Sequence, residues 1–466
     1  MVNRAVRIEK IIIQNFKNVK KGSISLENKR KPYKASILGI YGQNGSGKTA
    51  VIDALALLKY ALRGRRIPAK YVDFINVDAD YSTLEFKFRM KYEDSSYDIW
   101  YQFDLIPNEE IINDSEENTD QEYKAAIKNE VISFSYCSNE KKIRKSTLID
   151  TRTEAIFLPK TKFDELLGEL DATDKTELMV KKKYMQVTSK SFVFSMEMMN
   201  RFRNSCKNVL YKRILEGLRN FAERELFIIN TETTGLISLN ALPLVFKYPE
   251  EGKETFGNVT IPLDNSTHIP EEAEIIAEKV IDNMNVVLTQ LVPGLTIGIK
   301  QLSEIVLKDG KIGNNIQLVS LKNGKEIPFS YESDGVKKIV SVLQLLIAVY
   351  NHPSVTVAID ELDAGIFEYL LGEMLHIISE KGKGQLIFTS HNLRPLETID
   401  KGFIAFTTVN PENRYIRMTN VKGNNNLRDF YFRDIVLGEQ NEPVYNPTNN
   451  AEIAMAFREA GEGFGS

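Results

Sequence analysis

A disulfide framework is excluded at the outset, because Cys137 and Cys206 are the only cysteines in 466 residues. Apolar cores must hold the chain, and a reducing cytoplasm suits it. No uninterrupted apolar run approaches the roughly 20 residues of a membrane span, and Met1 to Arg7 has no apolar h-region, so a soluble protein is expected. Net charge is nearly absent, with 60 Lys and Arg against 63 Asp and Glu. That excludes a global attraction for nucleic acid and leaves local patches. These are Lys17, Lys20, Lys21, Lys29, Arg30, Lys31 and Lys34, then Arg63-Gly64-Arg65-Arg66, then Lys181-Lys182-Lys183; each suits a solvated face better than a nucleic-acid footprint. The four histidines, His268, His352, His376 and His391, share no ligand spacing with the cysteines, which excludes a structural zinc site.

What the chain does carry is Gly42-Gln43-Asn44-Gly45-Ser46-Gly47-Lys48-Thr49, set between the apolar stretch Ala35 to Ile40 and a helical pattern beginning at Val51. A strand feeding a glycine-rich turn that opens a helix aims backbone N–H groups and the positive helix end at one point, where polyphosphate binds. Gly42, Asn44, Gly45, Ser46 and Gly47 form that cradle. Lys48 has the reach for the β- and γ-phosphates of ATP, and Thr49 supplies a hydroxyl for Mg²⁺.

Three further signals lie beyond residue 300. Val355-Thr356-Val357-Ala358-Ile359 reads as a buried parallel strand, and Asp360-Glu361 leave its C-terminal end. Beside a P-loop, Asp360 belongs on the Mg²⁺ shell and Glu361 polarises the attacking water. The same acids also suit the cap of a following helix. Gly384 to Thr389 is a second buried strand with a polar tip, Ser390-His391, which places His391 for a γ-phosphate contact; His376 falls inside a helical run. Ser333 and Gly335, in Tyr331-Glu332-Ser333-Asp334-Gly335, open an apolar helix that Asn351-His352-Pro353 terminates, a second anion-binding end.

As an ordered set these residues resemble the SMC, RecF and ABC class of ATPases. Within it they are most similar to the OLD-like and AAA-family-fifteen ATPases of bacterial defence, including those of the anti-phage system PARIS. The resemblance covers residues 5–60 and 296–435. It includes Ile11-Ile12-Ile13-Gln14-Asn15-Phe16-Lys17-Asn18 as the opening strand and turn, Glu332-Ser333-Asp334-Gly335 as the signature, and Leu362-Asp363-Ala364-Gly365 as a D-loop containing Asp363. The signature departs from the Leu-Ser-Gly-Gly-Gln of transporters, which argues against a transport subunit, and no Q-loop glutamine can be assigned.

The resemblance implies an α/β fold. It would be an ABC-type P-loop head with a mixed β-sheet core and an antiparallel β lobe, carrying a compact helical insertion. It also implies that Ser333 and Gly335 of one protomer close over Lys48 of another, so that ATP joins copies into a homo-oligomer. OLD proteins carry a C-terminal Toprim nuclease, but nothing after Val421 is long enough for one, so a nuclease effector is expected on a separate chain. The PARIS likeness adds a phage anti-restriction protein as trigger. A RecF-like ATPase that contacts DNA directly is the competing expectation.

Expected domains are 1–154, the first half of the head; 155–295, a mainly helical insertion serving oligomerisation; 296–439, the second half; and 440–466, a tail with one short helical stretch. Residues 81–134 alternate in β fashion around an acidic loop from Asn108 to Glu122, a segment suited to solvent or to docking a basic partner. Asn230 to Pro270 reads as a polar separator, and Met196, Met198 and Met199 as core filler.

Overall fold

A computed structural model describes residues 4–30, 33–108, 124–230, 241–250, 253–307, 310, 312–322, 324–419, 426–438 and 440–462. The acidic loop lies outside these residues, apart from Asn108. Eighteen strands and eleven α-helices are named here in chain order.

The first half begins with β1 (Arg4–Phe16), β2 (Val19–Ser25), β3 (Ser36–Tyr41) and α1 (Lys48–Leu62), followed by β4 (Ser82–Tyr92), β5 (Ser95–Asn108), β6 (Lys124–Cys137) and β7 (Lys142–Asp150). Six of these strands form an antiparallel sheet ordered β2-β1-β4-β5-β6-β7. Its period-2 pattern is visible in β4, where Leu84, Phe86, Phe88 and Met90 are buried and the residues between them face outward. This is the antiparallel lobe expected over residues 81–134, extended by β7.

Helices α2 (Lys160–Leu167), α3 (Ala172–Val187), α4 (Met196–Ser205) and α5 (Val209–Asn220) follow, as expected of residues 155–225. They do not form a module of their own. Phe163, Leu178, Met198, Met199, Phe202 and Leu218 share one apolar core with the antiparallel sheet and α1. Lys182 is folded inward rather than set on a basic face, with its ammonium on the carbonyls of Thr151, Thr153 and Ala155 at 2.7–2.8 Å.

The expected insertion is further corrected by β8 (Leu226–Ile229), which pairs in parallel with β15 (Thr356–Ile359) inside the central sheet. The separator after it contains β9 (Ala241–Glu250), β10 (Lys253–Pro262) and β11 (Thr267–Pro270). Leu242, Leu244 and Ile261 are buried at alternate positions, and that burial overrides the polar composition of the segment. Next come α6 (Glu271–Leu291), β12 (Thr296–Val306), β13 (Ile312–Lys322), β14 (Lys325–Pro328) and α7 (Asp334–Asn351). β11, β12 and β14 all pair with β13.

The chain closes with α8 (Glu368–Lys381), β16 (Gln385–Thr389), α9 (Pro395–Thr398), β17 (Ile404–Thr407), β18 (Tyr415–Ile416), α10 (Leu427–Leu437) and α11 (Asn450–Glu462). The central sheet runs β18-β17-β3-β16-β15-β8, parallel except for β18. It divides two cores. Leu38, Ile40, Ile228, Ala358 and Ile387 face the core of α1 and the antiparallel lobe; Ile37, Tyr41, Ile229, Ile359 and Phe388 face that of α6, α7 and α8. Burial on both faces explains the continuous apolar runs in these strands. The loops that leave β3, β15, β16 and β17 all emerge at one edge, the carboxyl end of the parallel strands, where ligands bind in open α/β sheets. No helix among the described residues is long and apolar enough to cross a membrane.

Candidate active site

The loop between β3 and α1 is shaped by backbone needs. Gly47 is the N-cap of α1 at φ 95°, and Gly45 has φ 73°, conformations that side chains resist. At Gly42 the constraint is space, since a Cβ would lie 1.8 Å from the Thr407 hydroxyl oxygen. Thr407, at the tip of β17, also shares a 2.5 Å hydrogen bond with Ser46 Oγ. Asn18 donates to the Gly45 carbonyl and Tyr415 Oη to the Gly47 carbonyl, so the β1–β2 turn and β18 brace the loop from outside. Behind it, Lys17 pairs with the buried carboxylate of Asp53 on α1, and Asn230 donates to the other oxygen of Asp53.

Lys48 is buried, and its ammonium donates to the carbonyls of Gly42 and Gln43 at 2.9 and 3.0 Å. Burial lowers its pKa, and the carboxylates of Asp360, Glu361 and Asp363 oppose that shift. The P-loop amine and the acids after β15 therefore share one field.

Two hydroxyls meet on Asp360. Thr49 Oγ1 donates to its Oδ1 at 3.3 Å and Thr389 Oγ1 donates to the same oxygen at 2.5 Å, while Thr389 Oγ1 accepts the Glu361 N–H at 2.8 Å. Thr389 thus ties the tips of β15 and β16 together. Glu361 holds φ 48° and leaves its carboxylate exposed. The capping alternative for the acid pair fails, because the next helix, α8, begins only at Glu368.

The signature residues lie on a neighbouring turn. Ser333 is the N-cap of α7, accepting the Val336 N–H at 3.4 Å, and Gly335 packs against Gly365 of the loop after the acid pair. Asp363 Oδ2 accepts the N–H groups of His391 and Asn392 at 3.0 and 2.9 Å, leaving the His391 ring exposed. Its Oδ1 is buried without a hydrogen-bond partner, as is the ammonium of Lys338 on α7. Hydrogen bonds join Thr49 directly to Asp360, and Thr389 then links Asp360 to Glu361, whereas the Ser333 hydroxyl is engaged within its own turn as the cap of α7.

Residues 7–394 match the family model described as AAA ATPase domain. The chain belongs to this family. No curated protein matches the ATPase domain chain. Among solved structures it is similar to an SMC head bound to the C-winged helix domain of ScpA, at 13% identity and a TM-score of 0.37, covering 89% of this chain and 98% of that one. The SMC head domain from Thermotoga maritima gives 13% identity and 0.34, covering 88% and 99%. The recombination mediator RecF with ATP gives 14% and 0.36, covering 89% and 100%. The fold is mixed α/β, the class expected, with the parallel core sheet and antiparallel lobe in one head.

The donor set around Asp360 consists of two hydroxyls and a carboxylate, oxygen ligands of the kind Mg²⁺ takes together with substrate phosphates. Thr49 and Asp360 fit that ion. Sequence reasoning passed over Thr407, Tyr415 and Lys338 as well as the link through Thr389. A usable signal existed at Thr407, a polar residue ending the apolar strand Ile404-Ala405-Phe406, as Thr389 does in β16.

Proposed function

We propose that this ATPase domain chain hydrolyses ATP to ADP and phosphate with Mg²⁺, at a site that a second copy completes. The observation that carries the reading is the meeting of Thr49 and Thr389 on Asp360, one residue before the exposed Glu361 and beside the buried ammonium of Lys48. In this reading Lys48 binds the β- and γ-phosphates, and Thr49 and Asp360 hold Mg²⁺, which would neutralise charge on the phosphate oxygens. Glu361 orients and deprotonates the attacking water, and His391 contacts the γ-phosphate. Ser333 and Gly335 of the second copy close the site, with Asp363 at the seam. Mixing Ser333→Arg chains with Lys48→Ala chains tests the sharing, because mixed oligomers regain sites in which an intact Lys48 faces an intact Ser333. No recovery of turnover in demonstrably mixed oligomers overturns it.

At the level of biological role, we propose an oligomeric sensor of anti-phage defence similar to AriA of PARIS. It would hold a separate AriB-like Toprim nuclease and release or activate it when a DNA-mimicking phage anti-restriction protein binds. The motif set and the Glu-Ser-Asp-Gly signature support this. Trigger binding has to favour one ATP-gated state over the other, since only differential affinity moves such an equilibrium. Expression with and without the neighbouring gene and the trigger, scored for viability and nucleic-acid integrity, tests it. Mg²⁺-dependent cleavage by the purified chain alone overturns it.

One observation favours the RecF-like reading. A cavity of about 860 Å³ between the edge strands β2 and β18 is lined by Lys10, Lys29, Arg30, Lys401 and Arg417, opposed by Glu27. A groove so charged suits a phosphate backbone. DNA affinity that falls steeply with salt, and falls further in Lys10→Glu with Lys29→Glu, would favour it over the sensor.

A further inference from the structure

The C-terminal segment is stitched to the head and then released beside the P-loop. The Gln440 N–H donates to Asp434 Oδ1 at 2.9 Å, Glu442 accepts from Asn410 and Asn413 at 3.1 and 3.0 Å, and Val444 is buried in the core of α7 and α8. The last stitch is the Asn446 N–H, which donates to Gln43 Oε1 at 3.1 Å. Gln43 belongs to the phosphate-binding loop itself. Only Pro447, Thr448 and Asn449 separate this anchor from α11.

Helix α11 is exposed from Asn450 to Gly461, and Ile453, Met455 and Phe457 are 41%, 62% and 77% exposed. Ile453, Ala456, Phe457 and Ala460 follow the i, i+3, i+4, i+7 spacing of one apolar face. A helix this short is marginal in water without packing, so a face of this kind calls for a cover. Its reach is limited. The four peptide units from Asn446 to Asn450 span at most about 14 Å and the helix up to Phe457 about another 10 Å, which keeps the Phe457 backbone within about 24 Å of Asn446, the residue anchored on Gln43.

A second exposed apolar surface lies at the signature end of the molecule. Tyr331, two residues before Ser333, is 80% exposed; Phe367, two residues after Gly365, is 71% exposed; Tyr369 is 55% exposed. The contact of Gly335 with Gly365 gathers these aromatics around the start of α7.

We propose that α11 is a clasp between copies, its Ile453–Phe457 face packing on Tyr331, Phe367 and Tyr369 of the second copy when that copy's Ser333 faces Lys48 of the first. The inference rests on the composite-site reading above. Once the P-loop of one copy meets the signature of another, a helix anchored at Gln43 emerges beside the residues that flank Ser333. The clasp adds apolar area at the rim of a pairing that ATP holds at its centre. It is offered only while the heads are engaged.

The test uses the full-length chain carrying Glu361→Gln, with Cys137 and Cys206 replaced by serine. Chains with Tyr331→Cys are mixed with chains carrying Phe457→Cys and treated with a short bis-maleimide. An interchain product that requires ATP and Mg²⁺ is expected. In parallel, Ile453→Glu with Phe457→Glu is expected to weaken ATP-induced pairing about tenfold or more, with fluorescent ATP analogue binding by separate protomers unchanged. Intact pairing without the crosslink, or pairing within twofold in the double variant, overturns the clasp. So does capture of position 457 by Ile377→Cys, which would place α11 in the apolar groove lined by Val287 and Leu291 of α6, Leu346 and Tyr350 of α7, and Met374 and Ile377 of α8. Failure of the full-length parent to pair with ATP at all instead overturns the composite site on which the clasp depends.

Discussion

The carbonyl oxygen of Gly365 lies 2.4 Å from the point that a Cβ on Gly335 would occupy, so the signature turn and the loop after Asp360-Glu361 meet backbone to backbone. There is no flexible side chain at this contact to yield. Gly335→Ala therefore has to displace α7 or the loop, an overpacking cost of about 1–3 kcal/mol. Lower thermal stability is expected, with ATP turnover reduced and nucleotide binding kept, because the phosphate cradle does not touch this contact. An unchanged melting temperature with full turnover would show that the contact gives way freely.

Glu361→Gln is expected to bind ATP and to hydrolyse it about 10²- to 10⁴-fold more slowly, the range lost with a positioned general base. The amide keeps the size and the φ 48° backbone while losing the basic oxygen. ATP-bound oligomers should accumulate. Lys48→Ala separates the two functions, since it removes the charge from the phosphates and should abolish binding itself. Turnover by Glu361→Gln within a few-fold of wild type would remove Glu361 from the chemistry.

The P-loop and β15 were legible because every part of their signal is contiguous in the chain: strand, glycine turn, helix; strand, acid pair. The helices α2 to α5 were legible from period alone. β8 was not, because Leu226-Phe227-Ile228-Ile229 directly continues the helical segment through Phe221–Glu225 and becomes a strand only by pairing with β15. The β9–β10 hairpin was masked by Pro243, Pro262 and polar neighbours, although Leu242, Leu244 and Ile261 alternate inward. Around Asp360 the sequence offered the carboxylate and the threonine separately. Their hydrogen bond depends on β15 and β16 lying side by side, a tertiary fact that no local pattern encodes.

Lys59 on α1 is buried, its ammonium donating to the Leu226 carbonyl at 2.6 Å, and burial pushes its pKa down to about 7, with Arg63 adding repulsion. In the unfolded chain it titrates near 10.4. Between those values the unfolded state binds the extra proton, so stability rises with pH from about 7 to about 10 and is lost again as pH falls through the folded value. Lys59→Met removes this dependence. The melting temperature of wild type minus that of Lys59→Met is expected to climb between pH 7 and pH 9.5; a flat difference would mean the amine is not the titrating group.

Lys338 stands one helical turn beyond Gly335, with its ammonium buried and no hydrogen-bond partner. Burial pushes its pKa down to about 8 against the pull of Asp363, Glu361 and Asp360, in that order. An unpaired buried charge destabilises the fold, so Lys338→Met, similar in length and apolar, is expected to raise the melting temperature. The same change removes the cation that offsets three carboxylates gathered at one edge of the sheet, beside the buried but unpartnered Oδ1 of Asp363. Turnover should fall while ATP affinity at the P-loop changes little, and Lys338→Arg should restore part of the rate by returning the charge. The decisive measurement pairs thermal unfolding with kcat on the same three proteins. A stabilised Lys338→Met enzyme of wild-type kcat would reduce Lys338 to packing, whereas opposite movements of stability and rate would show a charge retained for the reaction at the expense of the fold.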